Sequence, residues 1–156
     1  MERNDLPNEL PDDLATLWYL IRRTAALMDH EGDTLCRREL GISLAQFLVL
    51  SVVDAYPGHL SQQAIADRLG LTKGTVSRQI DNAVAAGLMT VQVAPHTRRE
   101  NAVALTAAGT ALVRKGDALM QESRTAMLRA VTPTQLHAVV AALRALLLIL
   151  DGSTPR

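Results

Sequence analysis

The sequence predicts a mainly α-helical protein of the α+β class, in which one small β-hairpin interrupts a series of helices. Helical spacing of apolar residues recurs through most of the 156 residues, whereas alternation of apolar and polar residues is confined to one stretch. Hydrophobic residues make up 48% of the chain and aromatic residues only 3%, so aliphatic side chains and alanine build the core. Such a composition suits helices better than sheets.

Two short helices joined by a tight turn are predicted between Leu60 and Asn82. Ser61 and Thr72 stand where N-cap hydroxyls accept hydrogen bonds from backbone N–H groups one turn later. Gly70 lies between the helices, at a helix end that commonly adopts the left-handed conformation, which glycine tolerates without steric cost. In the second helix, apolar residues recur every four positions and predict its buried side: Val76, Ile80 and Val84.

The other side of this second helix is polar or cationic, with Asp81 as the one acid nearby. Side chains of these types can bind base edges and phosphates in the major groove of DNA. We therefore predict a helix-turn-helix whose second helix is the recognition helix. The predicted DNA contacts are Thr72, Lys73, Gly74, Thr75, Ser77, Arg78, Gln79 and Asn82. An ordinary pair of helices with a solvated polar face is the structural alternative.

A β-hairpin is predicted directly after the recognition helix. Met89, Val91 and Val93 alternate with polar residues, and Val103 and Leu105 alternate with alanines. The polar connection between them, residues 95–101, carries the adjacent pair Arg98 and Arg99. A helix-turn-helix followed by a hairpin with a basic tip is a winged helix. Arginines on such a wing can enter the narrow minor groove or hold phosphate, so both are predicted DNA contacts.

Three segments in this order resemble the MarR (multiple antibiotic resistance regulator) family of transcription factors. They are L-S-Q-Q-A-I-A-D-R-L-G-L-T-K-G-T-V-S-R-Q-I-D, then A-A-G-L, then R-R-x-x-x-V-x-L-T-A-A-G. The resemblance implies one MarR-like domain over residues 1–156, with the winged helix-turn-helix at 43–105 and dimerisation helices at 12–40 and 106–151. It also implies a sequence-specific transcriptional regulator, expected to be a ligand-responsive repressor that binds double-stranded DNA.

The flanking helices carry more apolar residues than a small winged helix can bury. The first helix has an apolar stripe that includes Leu14, Trp18 and Ile21, and the last helix is rich in leucine and valine. This surplus predicts a homodimer, whose recognition helices would lie about 34 Å apart and bind an inverted-repeat operator. A monomeric bundle in which these helices fold back is the alternative.

The formal net charge is zero, but the charges are unevenly distributed. Acids crowd the N-terminal segment, whereas basic residues prevail from Arg68 to Arg99, so a local basic face is available to phosphate. The N-terminus lacks the apolar segment of a signal peptide, and the apolar run from Leu143 to Leu150 is too short to span a membrane. With a single cysteine, these features predict a cytoplasmic protein without a membrane partner.

The four histidines show no metal-ligand spacing, and no catalytic constellation is evident, so we expect no metal, no cofactor and no enzymatic activity. Cys36 precedes Arg37 and Arg38, and nearby cations lower the pKa of a thiol. A cysteine-based redox-sensing regulator is therefore one alternative function. An inert, partly buried cysteine is the competing interpretation of Cys36.

Members of the MarR family commonly release DNA when a small aromatic or phenolic ligand enters a cleft beside the winged helix. By this resemblance, the residues that could line such a cleft are Trp18, Arg22, Phe47 and Asp54. Trp18 could equally be a core residue, because apolar stripes usually pack. A different class of function also stays open: a winged helix can serve as a protein-interaction module that does not bind DNA.

Overall fold

A computed structural model of the chain describes residues 13–56, 60–93 and 101–152. Within these ranges the chain forms six helices and a two-stranded antiparallel sheet. In chain order the elements are α1 (Asp13–Leu40), α2 (Leu44–Ala55), α3 (Gln62–Leu69), α4 (Lys73–Ala85), β1 (Met89–Val93), β2 (Asn101–Leu105), α5 (Ala107–Leu128) and α6 (Pro133–Leu150). The predicted fold class, a mainly α protein with one hairpin, is confirmed.

The chain divides into two structural units, and the boundary lies within α5, between Gly116 and Asp117. The first unit holds α1 to α4, the hairpin and the beginning of α5. The second holds the rest of α5 and α6.

The core of the first unit surrounds α2. Val49 and Leu50 of this helix are fully buried, and Ile65 of α3, Val76 of α4 and Met89 of β1 are buried in the same cluster. Apolar side chains from several elements thus meet in one core. Burying each of them stabilises the folded state by roughly 1.5–3 kcal/mol. This core fixes the position of α4 against the rest of the unit.

Helix caps form where the sequence predicts them. The Ser61 hydroxyl accepts from the Ala64 N–H at 3.1 Å, and the Thr72 hydroxyl accepts from the Thr75 N–H at the same distance. Gly70 takes the left-handed conformation with φ of 63°, and the adjoining Leu71 N–H donates to the Ala66 carbonyl. The predicted helix-turn-helix is confirmed in its local chemistry, because each helix end satisfies backbone groups that would otherwise lack partners.

The prediction that Val84 lies on the buried side of α4 is wrong. Val84 is 38% exposed, and the neighbouring Ala83 is fully buried beside Val76 and Ile80. The cause is the helical period of 3.6 residues. Seven residues bring Ala83 back to the direction of Val76, whereas an eighth turns Val84 away from it.

The second unit has its own cap. The Thr132 N–H and hydroxyl both donate to the Gln135 side-chain oxygen, and the Thr132 hydroxyl accepts from the Gln135 N–H, which completes a capping box. Pro133 occupies the first turn of α6, where the missing N–H of proline costs no helical hydrogen bond.

No residue of α6 is buried within the described chain. Large apolar side chains on it are at least one-third exposed: Leu136, Val139, Val140, Leu147, Leu148, Ile149 and Leu150. The apolar part of α6 extends well beyond the run from Leu143 to Leu150. Among the described residues, Pro133–Leu150 is long and apolar enough to cross a membrane by length and composition, a test that the core helix of a soluble protein also passes.

Candidate DNA interface

Helix α4 presents a polar face directly opposite its buried side. Val76, Ile80 and Ala83 anchor the helix in the core. Gly74 and Arg78 lie on the opposite side, at positions four residues apart, and both are exposed. The helix is therefore held by its aliphatic residues while a cationic surface faces solvent.

The predicted contact residues fall into two groups by exposure. Thr72, Lys73, Gly74, Arg78 and Asn82 are exposed, whereas Thr75, Ser77 and Gln79 are half-buried at the margins of the polar face. All eight belong to α4 or its N-cap, so the structure places them on one helix. The half-buried members can reach a ligand only at the edge of this surface.

The threonines and the basic residues of this surface differ in whether the protein itself already binds their side chains. The Thr72 hydroxyl accepts from the Thr75 N–H and shares a hydrogen bond of 2.9 Å with the Thr75 hydroxyl. Within the described part of the chain, neither Lys73 nor Arg78 is in an ion pair. The two threonines are therefore engaged in starting the helix, while the two cations are available to an external partner.

Asp81 lies on the same outer face as Arg78, three residues further along, and is exposed. The described residues contain no ion pair between the two. Asp81 is not among the predicted contacts, and its carboxylate repels phosphate on this part of the outer face. The positive charge that α4 presents is therefore concentrated toward its N-terminal half, at Lys73 and Arg78.

The end of α4 is tied to both the hairpin and α5. The Thr106 hydroxyl donates to the Gly87 carbonyl at 2.7 Å and accepts from the Gly109 N–H at 3.1 Å, and the Thr106 N–H donates to the Leu88 carbonyl. The bond to the Gly109 N–H makes Thr106 the N-cap of α5. Its bond across 19 residues has no local sequence signal, although it fixes the hairpin base against the recognition helix.

A second contact that sequence reasoning missed joins α2 to α3. The Arg68 guanidinium lies 4.7 Å from the centre of the Tyr56 ring, a cation–π geometry. The two residues are twelve positions apart, so neither spacing nor composition indicated the pair. The contact links the end of α2 to α3, and the same guanidinium also donates to the Ala64 carbonyl at 3.5 Å.

The hairpin forms with the register Met89 opposite Leu105 and Val93 opposite Asn101. This confirms a wing after the recognition helix. Arg98 and Arg99, the predicted wing contacts, lie outside the described residues.

The four candidate effector residues are not equivalent in the structure. Trp18 and Arg22 are exposed neighbours on α1, with the guanidinium 6.0 Å from the ring centre, and they line an open groove with other α1 residues. Asp54 is exposed on α2. Phe47 is only 3% exposed and packs against Gly116 of α5, so a ligand could touch its ring only by displacing its neighbours. Neither Phe47 nor Asp54 lines the groove at Trp18.

Cys36 is fully buried, and its environment opposes the expected activation. Burial raises the pKa of the Cys36 thiol, and the nearby Asp33 carboxylate raises that pKa further. The expected lowering by arginine is absent because Arg37 pairs with Asp33 and Arg38 pairs with Glu39. The thiol has the properties of an inert core residue.

A helix-turn-helix with an exposed cationic second helix, followed by a two-stranded wing, defines the class of winged-helix proteins. Residues 40–100 match the sequence profile of the MarR family. The matched range includes the helix-turn-helix and β1, so over this range the chain is similar to MarR family proteins.

Several solved structures share the fold. A MarR/EmrR family transcriptional regulator from Acinetobacter sp. ADP1 is 21% identical with a TM-score of 0.81, covering 90% of this chain and 99% of that one. MepR of S. aureus, solved as a complex with DNA, is 24% identical with a TM-score of 0.77, covering 86% and 97%. A MarR family protein of Mycobacterium tuberculosis, in complex with salicylic acid, is 24% identical with a TM-score of 0.66, covering 90% and 99%.

At these identities the structural likeness concerns the fold. Together with the family match and the exposed cationic face of α4, it supports the general function of a DNA-binding transcriptional regulator.

Proposed function

We propose that the protein is a homodimeric, sequence-specific repressor that inserts α4 into the major groove of an inverted-repeat operator. The observation that carries the proposal is the arrangement of α4, in which Val76 and Ile80 are buried while Lys73 and Arg78 face solvent without an ion pair among the described residues. Arginine binds a guanine edge with two hydrogen bonds, and lysine binds phosphate or guanine.

The wing completes the proposed interface. Its strands begin where α4 ends, and Thr106 ties their base to the Gly87 carbonyl. A wing fixed in this way can place Arg98 and Arg99 against phosphate or in the minor groove beside the recognition helix. DNA bound by MepR, a structure of the same fold, supports this use of the surface.

The homodimer is proposed because α6 leaves its apolar side chains uncovered. Leu147 is 55% exposed, Ile149 65% and Leu150 75%. Contiguous apolar surface of this kind on a regulator that resides in the cytoplasm is expected to pack against a second copy. A two-fold dimer then presents two recognition helices to successive major grooves.

Release by a small aromatic acid is the proposed regulation. Trp18 offers a ring and Arg22 a cation on one exposed face of α1, which suits an aromatic carboxylate. The salicylic acid bound to the M. tuberculosis protein supports this chemical class. A ligand of this class would act by favouring a conformer whose recognition helices are wrongly spaced for DNA.

Binding to a random DNA duplex across a range of salt concentrations tests the proposal. We expect measurable affinity at low salt and a linear fall of the logarithm of the binding constant with the logarithm of salt concentration, because phosphate contacts release counterions. Binding that is absent at low salt would favour a protein-interaction module instead.

A further inference from the structure

Arginine supplies almost all of the positive charge of this chain. Of the 16 lysine and arginine residues, 14 are arginine and two are lysine, namely Lys73 and Lys115. The two types differ chemically, because the arginine guanidinium stays protonated whereas the lysine amine can lose its proton and accept an acyl group. Acylation of a side-chain amine in this chain is therefore confined to two positions.

The Lys115 amine is already bound within the protein. Lys115 lies on α5, and its ammonium donates to the Glu39 carbonyl oxygen, in the last turn of α1, at 2.6 Å. The pKa of the Glu39 carboxyl lies below its ordinary value, mainly because of the Arg38 hydrogen bond and also because of the charge of Lys115. An ammonium engaged in this way has no lone pair to offer to an acyl donor.

The Lys73 amine has no such partner. Lys73 is the first residue of α4 and is exposed. Among the described residues it is in neither ion pair, and none of them accepts a hydrogen bond from it. The next residue, Gly74, has no side chain, and a Cβ added there would meet only the Thr72 hydroxyl oxygen, at 4.0 Å. Lys73 is therefore the lysine whose amine is available to a reagent in solution.

The charge of Lys73 is a large part of the charge that α4 carries. The side chains of this helix include two cations, Lys73 and Arg78, and one acid, Asp81, so their net charge is +1. Acylation replaces the lysine ammonium by a neutral amide, which lowers this net charge to zero. The attraction of α4 to a phosphate backbone then weakens, because that attraction depends on the number of cations that neutralise phosphates.

We propose that Lys73 is an acylation switch, at which transfer of an acyl group from an acyl phosphate releases the protein from DNA. This inference rests on the proposed DNA-binding function and adds a regulation of the same surface. An acyl phosphate is an anion, so the cationic part of α4 attracts it. The neutral Lys73 Nζ attacks the acyl carbonyl carbon and forms an amide C–N bond. The bond from that carbon to the phosphate oxygen breaks, and the leaving phosphate takes up the proton that the nitrogen loses.

The test treats the full-length protein with acetyl phosphate. Mass spectrometry of its peptides measures the acetylated fraction of each lysine, and we expect Lys73 to react several-fold faster than Lys115. Affinity of the treated protein for a random duplex at low salt should fall roughly tenfold, because one phosphate contact is lost from each copy of α4. The plot of the logarithm of the binding constant against the logarithm of salt concentration should become shallower by about one for each acetylated Lys73.

Two variants are treated in the same way, and each is compared with its own untreated sample. Lys73→Arg offers no amine at this position, so treatment should not change its affinity. Lys115→Arg is the matched control and should lose affinity as the wild type does. Acetylation of Lys115 as fast as Lys73, unchanged affinity of protein acetylated at Lys73, or an equal loss in Lys73→Arg would each overturn the inference. Failure of the untreated wild type to bind any duplex would instead refute the proposed DNA-binding function itself.

Discussion

The role of each polar residue on α4 depends on whether the protein already uses its hydrogen-bonding groups. The Thr72 hydroxyl is occupied by Thr75, whose N–H and hydroxyl both contact it. Arg78 is exposed on the opposite side from the core and is in neither ion pair of the described residues. Thr72 therefore positions the helix, while Arg78 is free to bind a base.

Arg78→Ala should weaken binding to an operator that the wild-type protein selects from a random duplex library by about 1–3 kcal/mol. It should also relax the preference for one base pair. The reason is that a bidentate arginine contact distinguishes guanine from other bases. Competition between the operator and single-base variants measures the effect. Arg114→Ala removes the same charge from an exposed position of α5 and should leave the base preference unchanged. An equal loss of affinity for all sequences would assign Arg78 to phosphate.

Gly116→Ala should lower the free energy of unfolding by about 1–3 kcal/mol, because its Cβ would overlap the buried Phe47 ring. Urea denaturation of the variant checks this. Phe47→Leu removes part of the ring, so adding it to Gly116→Ala should cost less than it costs alone. Additive losses in the double variant would show that the ring and the glycine are not in contact.

At the scale of elements, the junctions between helices and strands position the interface. Asp33 of α1 joins this helix to α2, because one of its carboxylate oxygens accepts from the Leu44 N–H at 2.9 Å. The other carboxylate oxygen pairs with Arg37 on α1 at 2.6 Å. Thr106 performs the same task where α4, β1 and α5 meet. The Asp33 bond ties α1 to the start of α2, and the Thr106 bonds tie the end of α4 to the hairpin base and to α5.

Thr106→Val should destabilise the protein by about 1–3 kcal/mol, because the Gly87 carbonyl and the Gly109 N–H both lose a partner while the side chain keeps its shape. Thermal unfolding measures the loss. Thr106→Ser retains the hydroxyl and should stay close to the wild type. If serine and valine were equally harmful, the methyl group and its packing would be the important feature.

The stabilising effect of Asp33 should depend on pH. The Arg37 hydrogen bond, with the Leu44 N–H, holds the pKa of the Asp33 carboxyl below its ordinary value of 3.8. Because the folded-state pKa is the lower one, the contribution to stability is present above pH 3.8 and disappears as the pH falls through the folded-state pKa.

Asp33→Asn should therefore have a lower free energy of unfolding than the wild type at neutral pH. The difference should shrink as the pH falls below 3.8. Urea denaturation at several pH values measures it. Asp54→Asn, at an exposed position of α2 outside both ion pairs of the described residues, should show no such convergence. A wild-type advantage that persists undiminished in acid would contradict the account.

Sequence reasoning succeeded where the cause is local. N-caps and the left-handed Gly70 depend on residues within one or two helical turns, so Ser61, Gly70 and Thr72 could be assigned in advance. It failed where the cause is tertiary. The Tyr56–Arg68 contact and the Thr106–Gly87 bond join residues twelve and nineteen positions apart, and the burial of Phe47 depends on Gly116 of another helix.

At the scale of the whole molecule, the proposed dimer accounts for apolar surface that one chain leaves exposed. Leu147→Glu places a charge in that surface, and because Leu147 is already 55% exposed the single chain should still fold. Sedimentation should show about twice 16.9 kDa for the wild type and 16.9 kDa for the variant. His137→Glu adds the same acid at a polar position of α6 and should remain dimeric. A wild type that sediments as a monomer would contradict the dimer.

The central claim is that two copies of α4 bind DNA as a pair of base-specific helices. Selection of duplexes from a random library by the full-length protein tests this claim most directly. The account predicts enrichment of an inverted repeat whose half-sites are centred about one helical turn, 10–10.5 base pairs, apart. Enrichment of no sequence at all, or of a single half-site without its inverted partner, would contradict it.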